Sequence, residues 1–207
     1  MTMTPETARD TTVRRRTLVK GTAWAAPAIA IGNAAPAMAA SRPPGLQGWV
    51  TVGKQCRSAS SGVLTINGTG GGNANPPNTN SRGLWIYNTN SGTTITNASM
   101  TFYYPTSLGT ISWSSASGNS GWSVPAVDTR VPQIPGYRAY TTNYSGSWQF
   151  YDNPGLEDDH HRATGRPNFT ASLTISNCGQ PLPVYARRTV TVDGEVVTFQ
   201  RGPVTIG

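Results

Sequence analysis

The stretch T189-V-T-V-D-G-E-V-V-T-F199 decides the fold. Two alternating runs, Thr189–Val192 and Glu195–Phe199, flank Asp193-Gly194. Asp-Gly suits a two-residue type I′ turn, because both central residues need positive φ. That turn pairs Val192 with Glu195 and Val190 with Val197. Strand side chains alternate, so Val190, Val192, Val197 and Phe199 share one face, the expected core face. Thr189, Thr191, Thr198 and Gln200 are then expected in solvent.

Outward from this hairpin the same grammar repeats. Short alternating runs broken by Gly, Pro, Asn and Ser predict strands at 49–53, 62–67, 84–88, 93–104, 109–113, 137–144, 148–151, 168–176, 183–192 and 195–201. No window past residue 40 holds a 3.6-residue period, so almost no helix is expected. Gly68–Arg82, rich in Gly, Asn and Pro, is expected as a mobile loop. Asp152–Pro167 reads as a polar loop, and Val124–Gly136, with Pro125, Pro132 and Pro135, as a crossing or edge segment. The fold class expected is all-β: a two-sheet antiparallel, Ig-like sandwich with one disulfide, preceded by a cleavable signal peptide.

Residues 1–39 supply that leader. Arg15-Arg16, Leu18 and Lys20 in R-R-R-T-L-V-K match the twin-arginine pattern. An Ala- and Ile-rich stretch follows, and Pro36 breaks it. Ala37-Met38-Ala39 is a small-x-small site that places cleavage before Ala40. The run is too short and too diluted to span ~30 Å of hydrocarbon, so no integral membrane anchor is expected. The partners during export are the Tat translocase and a signal peptidase. The mature domain, residues 40–207, is expected to be secreted, free or held non-covalently at the cell wall.

Removing the leader leaves 11 basic and 7 acidic residues. The arginines are scattered apart from Arg187-Arg188, without the stripe that phosphate backbones require, so no nucleic-acid partner is expected. Two cysteines, Cys56 and Cys178, in an exported chain predict a disulfide.

Together, R-R-R-T-L-V-K with its Ala-rich leader, S-G-N-S-G-W-S-V-P at 117–125, and V-Y-A-R-R-T-V-T-V…F-Q-R-G-P-V-T-I at 184–206 resemble the twin-arginine-exported, Ig-like β-sandwich proteins of actinobacterial envelopes. The resemblance covers most of the chain. It implies the fold and an extracellular or envelope location, and it carries no catalytic residues across.

Gly118-Asn119-Ser120-Gly121 departs from the G-x-S-x-G elbow because Trp122 follows. Glu157, Asp158 and Asp159 are consecutive, and a glycosidase would need a second carboxylate from elsewhere, such as Asp128 or Glu195. Asp158, Asp159, His160 and His161 have metal-ligand chemistry but lack ligand spacing. Lys54, the one lysine past residue 39, is expected to be solvated rather than bonded to an Asn.

Aromatics are the stronger lead. In L84-W-I-Y87, Leu84 and Ile86 share one face and Trp85 and Tyr87 the other. If the aliphatic pair faces the core, an exposed Trp85 with Tyr87, joined by Trp122, would offer flat rings to a sugar. The expectation is therefore a non-catalytic protein with no cofactor, contacting proteins or the cell surface through edges and loops. A carbohydrate-binding module using Trp85, Tyr87 and Trp122 is the alternative, and a hydrolase comes third.

Overall fold

A computed structural model describes residues 42–69, 82–152 and 159–207. The leader residues Arg15, Arg16, Leu18, Lys20, Ala37, Ala39 and Ala40 lie outside them, as do Glu157, Asp158 and most of the Gly68–Arg82 loop. The folded unit runs from Pro43 to Gly207.

Thirteen strands follow in chain order among the described residues: β1 Gly45–Gln47, β2 Thr51–Ser58, β3 Ser61–Asn67, β4 Trp85–Tyr87, β5 Ile95–Pro105, β6 Trp113–Ser115, β7 Ala126–Val127, β8 Tyr137–Asn143, β9 Trp148–Tyr151, β10 His160–Ala163, β11 Asn168–Thr174, β12 Leu182–Val192 and β13 Glu195–Ile206. A 3₁₀ turn at Thr106–Leu108 is the only helical element described. Sustained alternation without a helical period explains that balance.

The strands form three antiparallel sheets where two were expected: β1-β4-β10-β9, β2-β3-β11-β6 and β13-β12-β5-β8-β7. The first two share chain segments, since β1 runs on to β2, β3 leads to β4, and β10 runs on to β11. Gly48, at φ 101°, breaks the first of these segments, and Thr164–Pro167 breaks the third. At the breaks the ladder is replaced by single bonds, from Gly83 N to Trp49 O and from Gly68 N to Pro167 O. The left-handed Gly48 and the segment ending at Pro167 interrupt the ladders there, and the strands on either side fall in different sheets.

One core serves all three sheets. Leu46 and Ile86 from the first meet Leu64, Ile66 and Phe169 from the second and Met100, Phe102, Tyr140, Val184 and Val190 from the third. Tyr104, Trp113 and Tyr140 form an aromatic cluster within it, with centroids 5.5–6.4 Å apart. Such rings offset the scarcity of Leu.

The terminal hairpin has the expected register, Val192 opposite Glu195 and Val190 opposite Val197, with Asp193 and Gly194 both at positive φ. Its second strand departs from expectation. Val190 and Val192 are buried, but Val197 is half-buried and Phe199 is 43% exposed. β13 is the outermost strand of its sheet, so little lies beneath it to bury those side chains.

Two other expectations are corrected. The strand expected at 109–113 begins only at Trp113, and Ile111 instead gives its N–H to the Tyr140 hydroxyl. The polar segment 152–167 contains β10.

Cys56 and Cys178 form a disulfide with their Cα atoms 5.7 Å apart. It ties β2 to the turn between β11 and β12. Lys54 is half-buried, and its Nζ donates to the Cys178 carbonyl at 2.6 Å and to that of Gln180. No described helix is long and apolar enough to cross a membrane.

Candidate functional site

β10 organises the outer face of the first sheet. Its register sets His160 beside Tyr87 and Tyr151, and Arg162 beside Trp85 and Gln149. Alternation sends His160 and Arg162 outward, and buries His161 and Ala163.

The outer residues interleave. The His160 ring stacks on Trp85 at 5.1 Å and 14° and on Tyr151 at 5.1 Å and 10°. The Arg162 guanidinium lies 4.3 Å from the Trp85 centroid and 4.6 Å from that of Tyr151. Each contact is worth about 0.5–1 kcal/mol at an exposed site and more when desolvated. Tyr87 lies down on Gly45, where a Cβ would fall 2.1 Å from its Cζ.

This arrangement changes the meaning of Trp85. As expected, Leu84 and Ile86 are buried and Trp85 and Tyr87 turn outward. Yet a ring stacked on lateral neighbours turns its faces along the sheet, not toward solvent. One face of Trp85 is filled by β10, and its Nε1 donates to Arg82 O at 3.2 Å. Trp122 is not on the surface at all. It is 5% exposed, donates from Nε1 to Gly165 O at 3.0 Å, and packs on Tyr144. The motif around it is a structural corner, because the chain there must pack tightly: Asn119 bonds Trp122 O and Asn168 N, and Tyr144 OH accepts from Gly165 N. The flat platform expected of Trp85, Tyr87 and Trp122 is not what the structure assembles.

Nor do the candidate metal ligands among the described residues converge, Asp158 lying outside them. His160 stacks on the outer face, while His161 packs inward on Phe150 and meets Thr89 Oγ1 at 3.0 Å. The same hydroxyl also lies 3.2 Å from Ile86 O. Burial, then the neighbouring His160, holds His161 below the usual histidine range against an opposing pull from Asp193. Asp159 contributes its carbonyl to Thr89 N. Of the carboxylates considered for glycoside hydrolysis, Asp128 is paired with Arg130 at 3.1 Å and Glu195 sits on the terminal hairpin.

The residues that sequence reasoning passed over lie along β13. This strand has twelve residues and is exposed along nearly all of them. Val196 is 65% and Val204 38% exposed. In a two-residue hairpin the pairs 192/195, 190/197 and 188/199 exchange both hydrogen bonds. Val196, Thr198 and Gln200 therefore turn their N–H and C=O groups away from β12, and no described strand takes them.

Beside β13 a cleft of about 610 Å³ opens against the β1–β2 connection. Arg188 and Arg201 line it with Trp49, Val197 and Phe199. Arg188 is 8% exposed. It donates from Nη2 to Gly48 O at 2.7 Å, and its Nε has no partner. Burial, then the charge of Arg201, presses Arg188 down to about 10. Polar segments between apolar strands gave no signal of β10, and Arg187-Arg188 read as an ordinary basic pair, although alternation along β12 was enough to turn Arg188 inward with Val190 and Val192. No protein-family model matches the chain, and no curated protein or solved structure matches it either.

Proposed function

We propose that this is an exported, non-catalytic binding protein that takes an extended segment of another protein along the free edge of β13. The reading supposes an Ig-like sandwich delivered by a twin-arginine leader that is cleaved before Ala40, and a place at the cell envelope. What supports it is one observation: a long edge strand, exposed along most of its length, leaves the outward groups of Val196, Thr198 and Gln200 unclaimed by any described strand. Edge strands of this kind are usually short, charged or covered, since otherwise they template pairing. Main-chain pairing would give affinity, and Val196, Phe199 and Val204 would read alternate side chains of the guest.

The test is titration of the mature protein with short synthetic peptides alternating Val and Thr, followed by amide exchange. Protection of Val196, Thr198 and Gln200 is expected. It should vanish in Thr198→Pro, which removes an outward N–H without touching the bonds to β12. Binding that survives Thr198→Pro, or no protection at these three amides, sinks the reading.

A further inference from the structure

The cleft between Gly45–Trp49 and Val197–Arg201 has a chemistry independent of strand pairing. Its volume, about 610 Å³, lies in the range of small-molecule sites. Two guanidiniums enter it from neighbouring strands, Arg188 on β12 and Arg201 on β13. Their positions are fixed. Arg188 is tied to Gly48 O at 2.7 Å and lies 5.6 Å from the Phe199 ring centre, and Arg201 lies 4.7 Å over Trp49. No described carboxylate forms an ion pair with either.

Two like charges, one nearly withdrawn from water, repel each other and lack a counter-charge among the described residues. Buried cations are ordinarily paired. Arg188 also keeps an unused donor, Nε. Around the charges Leu46, Trp49, Val197 and Phe199 make an apolar wall, with Gln47, Tyr87 and Thr198 as polar neighbours. A smaller cavity of about 120 Å³ adjoins and shares Trp49, Arg188 and Arg201.

We infer that this cleft binds a small amphiphilic anion, a carboxylate or phosphate carried on an acyl or aromatic body. The acid group sits between Arg188 and Arg201, and the body lies along Phe199 and Val197. Arg suits both oxyanions because its donors are arranged as a fork. The ligand's charge supplies what the fold omits, and its apolar part covers rings that solvent otherwise touches.

Calorimetric titration of the mature protein with octanoate, octanol and acetate tests the site. Octanoate should bind at least about tenfold more tightly than either, since it alone satisfies both features. Arg201→Gln should lower octanoate affinity about tenfold or more, with Tm lowered by no more than a few degrees for the lost Trp49 contact. Phe199→Ala should weaken octanoate and leave acetate unaffected. Sedimentation with phosphatidylglycerol vesicles, lost in Arg201→Gln, would identify a lipid as the natural source of the anion. Octanoate binding without sedimentation would identify a free organic acid. Equal affinity for octanoate and octanol, binding indifferent to Arg201→Gln, or neither binding nor sedimentation overturns the inference. Val196→Pro, which removes an outward N–H of β13 at a residue that does not line the cleft, should leave octanoate binding intact, which separates failure here from failure of strand docking.

Discussion

Arg162 lies over Trp85, its guanidinium carbon 4.3 Å from the ring centre. The same cation lies 4.6 Å from the centre of Tyr151, so β10 fills the space between two rings of β4 and β9. Arg162→Ala should therefore destabilise the domain by about 1–2 kcal/mol, the worth of two partly desolvated cation–π contacts. Tryptophan emission should shift to the red as Trp85 becomes wetter. Urea unfolding monitored by fluorescence reads both, and an unchanged midpoint would show that the ladder contributes nothing.

The sugar-platform alternative makes the opposite demand on the same ring. If the lateral stack keeps Trp85 from a sugar, the mature protein should not pellet with insoluble polysaccharide, and Trp85→Ala should not alter its behaviour. Pelleting competed by a soluble sugar and abolished by Trp85→Ala would restore the glycan reading.

His161 makes stability depend on pH. Its folded-state affinity for a proton lies below the ordinary value of 6.5, chiefly through burial and secondarily through His160. The unfolded chain then binds the proton more readily. The contribution is fully present above about pH 7 and is lost as pH falls through the ordinary histidine range toward the lowered folded value. Urea midpoints from pH 8 to pH 5 should decline over that interval in the parent and flatten there in His161→Phe. An equal decline in both would assign the effect to other groups.

The Cys56–Cys178 bond closes a separation of 122 residues. A loop of that size predicts a loss of about 4–5 kcal/mol on removing the bond in the chain-entropy account. Cys56→Ser with Cys178→Ser should lower the urea midpoint accordingly, and a loss below about 1 kcal/mol would mean that the reduced unfolded chain is already compact. Gly62 belongs to this joint, since a Cβ there would fall 2.9 Å from Cys178 Sγ.

Glycines with different jobs should respond differently to alanine. At Gly165 a Cβ would lie 1.8 Å from the Ser120 carbonyl oxygen, beneath the Trp122 corner. Gly194 has open space but sits at φ 90°. Gly165→Ala should cost on the order of 3 kcal/mol or more because backbone must move, and Gly194→Ala about 1 kcal/mol for the turn alone. Thermal unfolding of the two variants decides it, and equal losses would contradict the corner.

Much of the fold was legible because it is written locally. Alternation placed β9 at Trp148–Tyr151 to the residue, and Asp193-Gly194 set the register of the last hairpin, since a two-residue turn leaves the flanking strands one way to pair. β10 was not legible. His160, His161, Arg162 and Ala163 hold no large aliphatic, and the buried histidine is accommodated by Thr89 and Phe150, residues distant in sequence. The candidate sites were less legible still. A sequence shows that Trp122 is aromatic, but whether it meets solvent depends on Gly165 and Tyr144 arriving from elsewhere.

By itself the sequence determined an all-β chain, the pairing of its final hairpin and the candidacy of its two cysteines for one bond. These follow from side-chain period, turn chemistry and composition, which act over a few residues or over the whole chain at once. Only the tertiary structure decided that three sheets share the core, that no described strand covers the outer edge of β13, and that Arg188 and Arg201 face one cleft. Such facts depend on which strand becomes the neighbour of which. That choice is made by the collective burial of side chains from all three sheets, and no single segment contains it.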